Sequence, residues 1–432
     1  MTDIKTLMKV LDEGKLDERL CELSCLKAGT VPERGRQRVR QAAEGFQAAF
    51  GRGDDAQVAV LSAPGRTEIG GNHTDHQRGR VLAAAVNLDF LCCAGLNGTD
   101  KIRFQSQGWP MVEVDLGSLE VCEGERESTA ALVRGIAARI KELGYTPAGF
   151  DAYAISDVLP GSGLSSSAAC EVLLGVILNH LCCGDRLTAV EIAQIGQYAE
   201  NVYFGKPSGL MDQMASSVGG AVAIDFEDKE KPVITPLKVN LEAEGYALCI
   251  IDSGASHADL TGEYAAIPAD MKAVAAFFGK EVLRQVDEGE VVSRLPELRA
   301  AVGDRAVLRA LHFYGDNERV VHEAKALENG DFAGFLELVK ESGQSSWMYL
   351  QNIAPAGAVK EQAMAVALAA AQRALGGRGA SRVHGGGFAG TIQAFVPLDM
   401  LDSFKTQVEA LLGEGCCHVL SIRPAGGAVV WG

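Results

Sequence analysis

Residues 64–79 read PGRTEIGGNHTDHQRG and follow directly on the apolar run 58–63, VAVLSA. Arg66, Glu68, Asn72, His73, Asp75, His76 and Arg78 are crowded into this segment beside Gly65, Gly70 and Gly71. A strand that runs into a polar, glycine-broken stretch can lay several side chains and bare backbone against one small ligand. Carboxylate, amide and imidazole together suit a polyhydroxylated molecule such as a sugar. A solvated loop with turn glycines fits the same residues, so the segment needs support from elsewhere in the chain.

Two further glycine clusters supply it. Residues 160–169, PGSGLSSSAA, lie between the apolar run 150–159 and a run at 168–181 in which Val172, Leu173, Val176 and Ile177 recur at helical spacing. A strand, a glycine-serine turn and a helix start aim backbone N–H groups and the helix dipole at one spot, which suits a phosphate. Ser165, Ser166 and Ser167 add hydroxyls. The stretch lacks GxxxxGK[ST], and it fails the dinucleotide fingerprint at its third glycine. A helix cap after a tight turn explains it equally well. The third cluster is HGGGFAG at 384–390.

In this order the clusters resemble the GHMP family of small-molecule kinases and, within it, the galactokinases. GRTEIGGNHTDH aligns without a gap to the family's GRVNLIGEHTDY. PGSGLSSSAACE is similar to the phosphate loop, AENVYFGKPSGLMDQMAS (199–216) to the segment ending in GIMDQ, DSGASHADLTGEY (252–264) to a segment ending in a sugar-contacting tyrosine, and SRVHGGGFAGTIQAF (381–395) to the third motif. The resemblance spans roughly residues 45 to 432. It implies an ATP-dependent sugar 1-kinase, with galactose as the family's sugar. Kinases for galacturonate, arabinose or an amino sugar, and a non-catalytic sugar- and ATP-binding regulator, are the alternatives. It also implies roles. Asp212 would be the base and Arg66 its partner and phosphoryl stabiliser. Asn72, His73, Asp75, Gly209 and Tyr264 would hold the sugar. Gly161, Ser162, Gly163, Leu164, Ser165, Ser166 and Ser167 would hold ATP, and Ser167 and Glu200 would hold Mg2+. The chain departs from the family at Asn72 (glutamate there), at His76 (tyrosine) and at Ile267 and Pro268 (an arginine pair). Asn72, with His76 if protonated, predicts side activity on sugars altered at C6 beside a preference for galactose, on the reading that Asn72 faces that carbon.

Composition sets limits. The chain has 432 residues, 47% of them hydrophobic, enough for two domains or more. A net charge of −16 argues against nucleic acid as a partner and requires any ATP site to be locally positive. The apolar stretches carry polar breaks and read as too short to span a bilayer. The charged N-terminus has no signal-peptide core. Eleven cysteines fall as adjacent pairs and singles with no C-x-x-C, which reads as buried thiols in a reducing cytoplasm.

The periodicities predict a helical N-terminal extension over 1–40, either a hairpin packed on the body or a partner contact. They predict a first kinase domain over 41–235, carrying the sugar and phosphate loops, and a second over 236–432. Strands interleaved with helices in two halves imply a two-lobed α+β fold with its site in the cleft.

Overall fold

The computed structural model describes every residue except 28, 159–162, 207, 229 and 256–259. Two sheets organise it. In the larger, the order is Thr2–Asp3, Gln57–Gly70, Arg80–Leu96, Phe150–Ser156, Lys101–Ser106, Val112–Asp115; Ala221–Asp225 and Val233–Leu237 extend from the first half of Arg80–Leu96. Neighbours are antiparallel except Lys101–Ser106 against Phe150–Ser156. The smaller sheet is antiparallel, in the order Ala380–Val383, Thr391–Pro397, Tyr246–Asp252, Cys417–Leu420.

The long pair Gln57–Gly70 and Arg80–Leu96 is the frame of the first lobe, and it corrects the reading of the first motif. The strand does not stop at Ala63. It runs on to Gly70, with register shifts at Pro64/Arg66 and Glu68/Gly70. Such irregularities bend a strand and re-aim its side chains. Small partners, Ala83, Ala84 and Ala85, leave room for the large polar side chains that the bent strand carries. Only residues 71–79 form a loop, with a short 3-10 turn at Asp75–Gln77.

The N-terminal extension forms the helices Ile4–Asp12 and Asp17–Ser24. Their Leu7, Leu11, Leu16 and Leu20 are buried together with Val39, Phe46, Val58, Val60 and Leu91, so with helix Glu33–Phe50 the hairpin covers the outer face of the first sheet. Each such leucine removed from water contributes roughly 1.5–3 kcal/mol before conformational entropy is counted.

The second lobe as read from the sequence, 236–432, gives its last strand to the first lobe: Ala428–Trp431 pairs antiparallel with Gln57–Gly70. One apolar core joins Leu61, Ala63, Leu173 and Ile177 of the first lobe to Leu248, Ile250, Phe335 and Phe395 of the second. The stretch Ser166–Cys183 is long and apolar enough to cross a membrane, contrary to the sequence reading, but 72% of it is buried as the central helix of the first lobe.

Candidate functional site

The bent strand puts Arg66 inside the molecule. Its backbone N–H donates to Leu164 O at 3.0 Å. Its guanidinium makes a bidentate pair with Asp212, Nε to Oδ1 at 2.7 Å and Nη2 to Oδ2 at 2.9 Å, and Nη1 donates to Gly163 O. Asp212 stands in the first turn of helix Met211–Val218, where the helix dipole favours negative charge. Ser165 Oγ donates to Asp212 Oδ2 at 2.7 Å. Burial raises the Asp212 pKa, but the Arg66 charge and hydrogen bonds, with Ser165 and Lys206, outweigh it and hold the carboxyl at about 2. The Arg66 side chain is 7% exposed and that of Asp212 33%, so the carboxylate is the open end of the pair.

Close contacts with glycine backbone define the neighbouring sugar-candidate group. A side chain on Gly209 would collide with Asp75 Oδ2, so the GLMDQ segment and the first motif meet at a bare backbone. Asp75 Oδ1 accepts from His76 N at 2.9 Å. His73 donates from Nε2 to Gly386 O at 3.0 Å, which leaves Nδ1 as an acceptor. Burial, with His76 beside it, pushes the His73 pKa down to about 3, so its ring is neutral. Tyr264 lies so close that a Cβ on Gly386 would meet its ring at 2.7 Å, and its hydroxyl donates to Gly387 O at 3.0 Å. Burial raises that phenol to about 12. The first motif, GLMDQ, the tyrosine helix Thr261–Phe277 and the third glycine motif therefore converge.

Asn72 does not join them. It is fully buried. Its Nδ2 donates to Glu68 Oε1 at 2.9 Å and to Gly385 O at 2.7 Å, while its Oδ1 accepts from Asn352 Nδ2 at 2.8 Å and Ser346 Oγ at 3.2 Å. Two donors and two acceptor positions are the whole capacity of an amide. The expectation that Asn72 reads the sugar is corrected: this residue clamps the first motif to the second lobe.

Glu200 sits at the turn Ala199–Phe204, with its side chain 5% exposed. Lys206 Nζ reaches Oε1 at 3.2 Å; Ser208 Oγ at 2.5 Å and Gln213 Nε2 at 2.8 Å donate to Oε2. The same Gln213 Nε2 donates to Glu171 Oε2 at 2.9 Å. Burial and the Glu200 charge raise the Glu171 pKa well above the carboxylate range. Of the predicted ATP residues, Gly163, Leu164 and Ser165 serve Arg66 and Asp212 as above. Ser166 and Ser167 open helix Ser166–Leu178, Ser167 exposed to solvent. Gly161 and Ser162 lie outside the described residues.

Sequence reasoning missed the groups that hold these residues in place. Arg382, fully buried, donates from Nη2 to Glu68 Oε1 at 2.6 Å and from Nη1 to Ile69 O at 2.6 Å. His384 Nε2 accepts from Glu68 N at 3.3 Å. Burial lowers the pKa of His384 well below its ordinary value. A signal for Glu68 was present. Against GRVNLIGEHTDY, the chain exchanges asparagine and glutamate between positions 68 and 72, and the two side chains hydrogen-bond to each other.

The comparisons with known proteins agree with this geometry. The GHMP kinases N terminal domain model matches residues 131–220, and the galactokinase galactose-binding signature matches 44–96. Galactokinase of Streptomyces coelicolor is 31% identical over 409 residues, 93% of this chain and 98% of that protein. Galactokinase of Actinobacillus pleuropneumoniae serotype 3 is 33% identical over 354 residues, 80% and 87% of the two chains. The crystal structure of Lactococcus lactis galactokinase complexed with galactose aligns with a TM-score of 0.78 at 26% identity, covering 90% of this chain and 99% of that one. Mevalonate kinase of L. major, with a TM-score of 0.58 at 14% identity over 86% of this chain and 97% of its own, shares the fold.

Proposed function

The chain belongs to the galactokinase family of GHMP kinases, and on that basis we propose that it transfers the γ-phosphoryl group of ATP to the anomeric hydroxyl of D-galactose, giving α-D-galactose 1-phosphate, ADP and a proton. The observation that carries this reading is the Asp212 carboxylate, locked bidentate by buried Arg66 and open on its other side. Phosphoryl transfer asks the protein for position and electrostatics more than for covalent chemistry. Asp75, His73, the Gly209 backbone and Tyr264 orient the sugar. Its anomeric oxygen forms the new P–O bond while the bond from the γ-phosphorus to the bridging oxygen breaks, and ADP leaves with that electron pair. A carboxylate held at about 2 is a weak base. Asp212 accepts the hydroxyl proton, which the forming P–O bond acidifies.

Glu200 fits a magnesium ion. Its buried carboxylate is already paired with one exchangeable cation, the Lys206 ammonium, and a single hard oxygen ligand plus waters is what this metal takes. Ser167, exposed on the first helical turn, is the second candidate ligand. When bound, magnesium neutralises and bridges phosphate oxygens. Gly163 to Ser167 lie at the phosphate end. The case for sugars altered at C6 rested chiefly on Asn72, and its burial removes that part; His76, Ile267 and Pro268 remain as departures at the sugar end. The eleven free cysteines support a cytoplasmic location.

The test is ADP release measured across galactose, galacturonate, arabinose and glucose, with Asp212→Asn as control. Galactose should give the highest kcat/KM, and the variant should lose about two to four decades of turnover. Wild-type turnover in the variant, or preference for another sugar, overturns the reading.

A further inference from the structure

The Arg66 guanidinium is largely committed. Three of its N–H groups already bind Asp212 and the Gly163 carbonyl. Two of its five N–H groups remain for an incoming phosphoryl group, and the site is rich in negative charge. The Glu200 and Asp212 carboxylates stand here, and the whole chain carries −16.

Lys206 is a cation with capacity to spare. It stands on the loop between the turn Ala199–Phe204 and helix Met211–Val218. Its ammonium touches Glu200 Oε1 at 3.2 Å, and its side chain is 62% exposed. An ammonium has three donors on a flexible stem, so contact with one carboxylate oxygen leaves it free to swing to another anion. Gly205 just before it has φ +90°, a backbone conformation open to glycine that sets the lysine on a turn. The same charge acts on both Glu200 and Asp212.

We propose that Lys206 is a catalytic phosphate-binding residue whose ammonium leaves Glu200 as the metal–nucleotide complex arrives and then contacts the oxygens of the γ-phosphoryl group. This rests on the kinase reading. The choice of the γ-group follows from position. Glu200 serves the metal on the phosphate chain and Asp212 serves the acceptor hydroxyl. A cation that touches Glu200 and whose charge acts on Asp212 meets the group that passes between them. Opposite charge that strengthens as the group transfers lowers the barrier.

The experiment compares wild type, Lys206→Met and Lys206→Arg. Calorimetry gives the Kd for ATP and for ADP with magnesium present, and steady-state kinetics gives kcat and the sugar KM. Lys206→Met should weaken ATP at least ~10-fold and ADP less than ~2-fold, and lower kcat by roughly 10²-fold with the sugar KM little changed, since one lost donor to a developing charge costs about that much. Lys206→Arg should recover most of the loss. Parallel changes in ATP and ADP affinity, or an unchanged kcat, would show that Lys206 is only a counterion for Glu200. If wild type releases no ADP with any sugar, the kinase reading fails, and the ratio of ATP to ADP affinity still decides the role of Lys206.

Discussion

Replacing Asn72 by aspartate separates a clamp from a sugar reader, because the substitution keeps the shape and changes two atoms' chemistry. The oxygen that takes the place of Nδ2 would face Glu68 Oε1 and Gly385 O, at 2.9 and 2.7 Å from the present nitrogen. Neither partner can donate unless a proton is added. Burial already pushes Glu68 up to about 7, even with Arg382 beside it, so a second buried carboxylate here cannot ionise freely. Holding an aspartic acid protonated at pH 7, from an ordinary value near ~3.9, costs about 4 kcal/mol. One of the two donations is then restored, and the other acceptor goes unmet at about 1–3 kcal/mol. Asn72→Asp should therefore destabilise the protein by about 5–7 kcal/mol at pH 7. Because the folded variant carries an extra proton, the sign is fixed: the loss shrinks as pH falls, by about 1.4 kcal/mol per unit down to the ordinary aspartate range. Urea unfolding of both proteins at pH 5 and pH 7, beside kcat/KM for galactose and 6-deoxygalactose, measures this. A loss under about 1 kcal/mol with no pH dependence, accompanied by a changed preference between the two sugars, would refute the clamp and return Asn72 to the sugar.

Gly209→Ala places a methyl group against Asp75 Oδ2. The sugar KM should rise roughly 10-fold or more with the ATP KM little altered, since misplaced contacts cost that much; steady-state kinetics with each substrate varied decides it. Glu200→Gln removes the carboxylate proposed for the metal, so the magnesium concentration for half-maximal rate should rise while galactose binding stays the same. An unchanged magnesium titration would leave Glu200 as the partner of Lys206 and Gln213 only. The Glu68 carboxyl, raised by burial to about 7, favours the folded state in its protonated form. Its contribution is fully present below about 4.5 and lost as pH rises to 7, worth about 3 kcal/mol on the scale of 1.36 kcal/mol per unit. Glu68→Gln should abolish that part of the pH dependence of thermal unfolding, and parallel wild-type and variant profiles over pH 4.5–7 would count against it.

Helices with a clean apolar stripe were legible from the sequence. The stripe Leu132, Ile136, Ile140 and Leu143 predicts one helix face; the first three lie buried on helix Thr129–Glu142, while Leu143 caps it and is exposed, and of the two readings of the N-terminal extension the leucines form the hairpin packed on the body. What that hairpin covers was not legible, because nothing local specifies a sheet face built from residues 58, 60 and 91. The strand through the first motif was misjudged for a related reason. Pro64, Gly65, Arg66 and Glu68 read as loop residues because polar side chains ordinarily need water. Here they find buried partners in the second lobe: Glu68 meets Arg382 across 314 positions, and Asn72 meets Asn352 across 280 and Gly385 across 313. No periodicity encodes a partner so distant. The motif located the site but could not say which of its polar groups face the ligand and which hold the lobes together. That distinction also bears on the family comparison. Where the family motif has asparagine and then glutamate, this chain has glutamate and then asparagine, and its amide donates to its carboxyl at 2.9 Å. Taken singly, each change looks like altered specificity. Taken as a contacting pair, they are one amide and one carboxyl that satisfy each other in this chain, with Arg382 beside the carboxyl. The departures that remain as candidates for altered sugar choice are therefore His76, which stacks on His73 with ring centroids 5.9 Å apart, and the Ile267–Pro268 pair on the tyrosine helix.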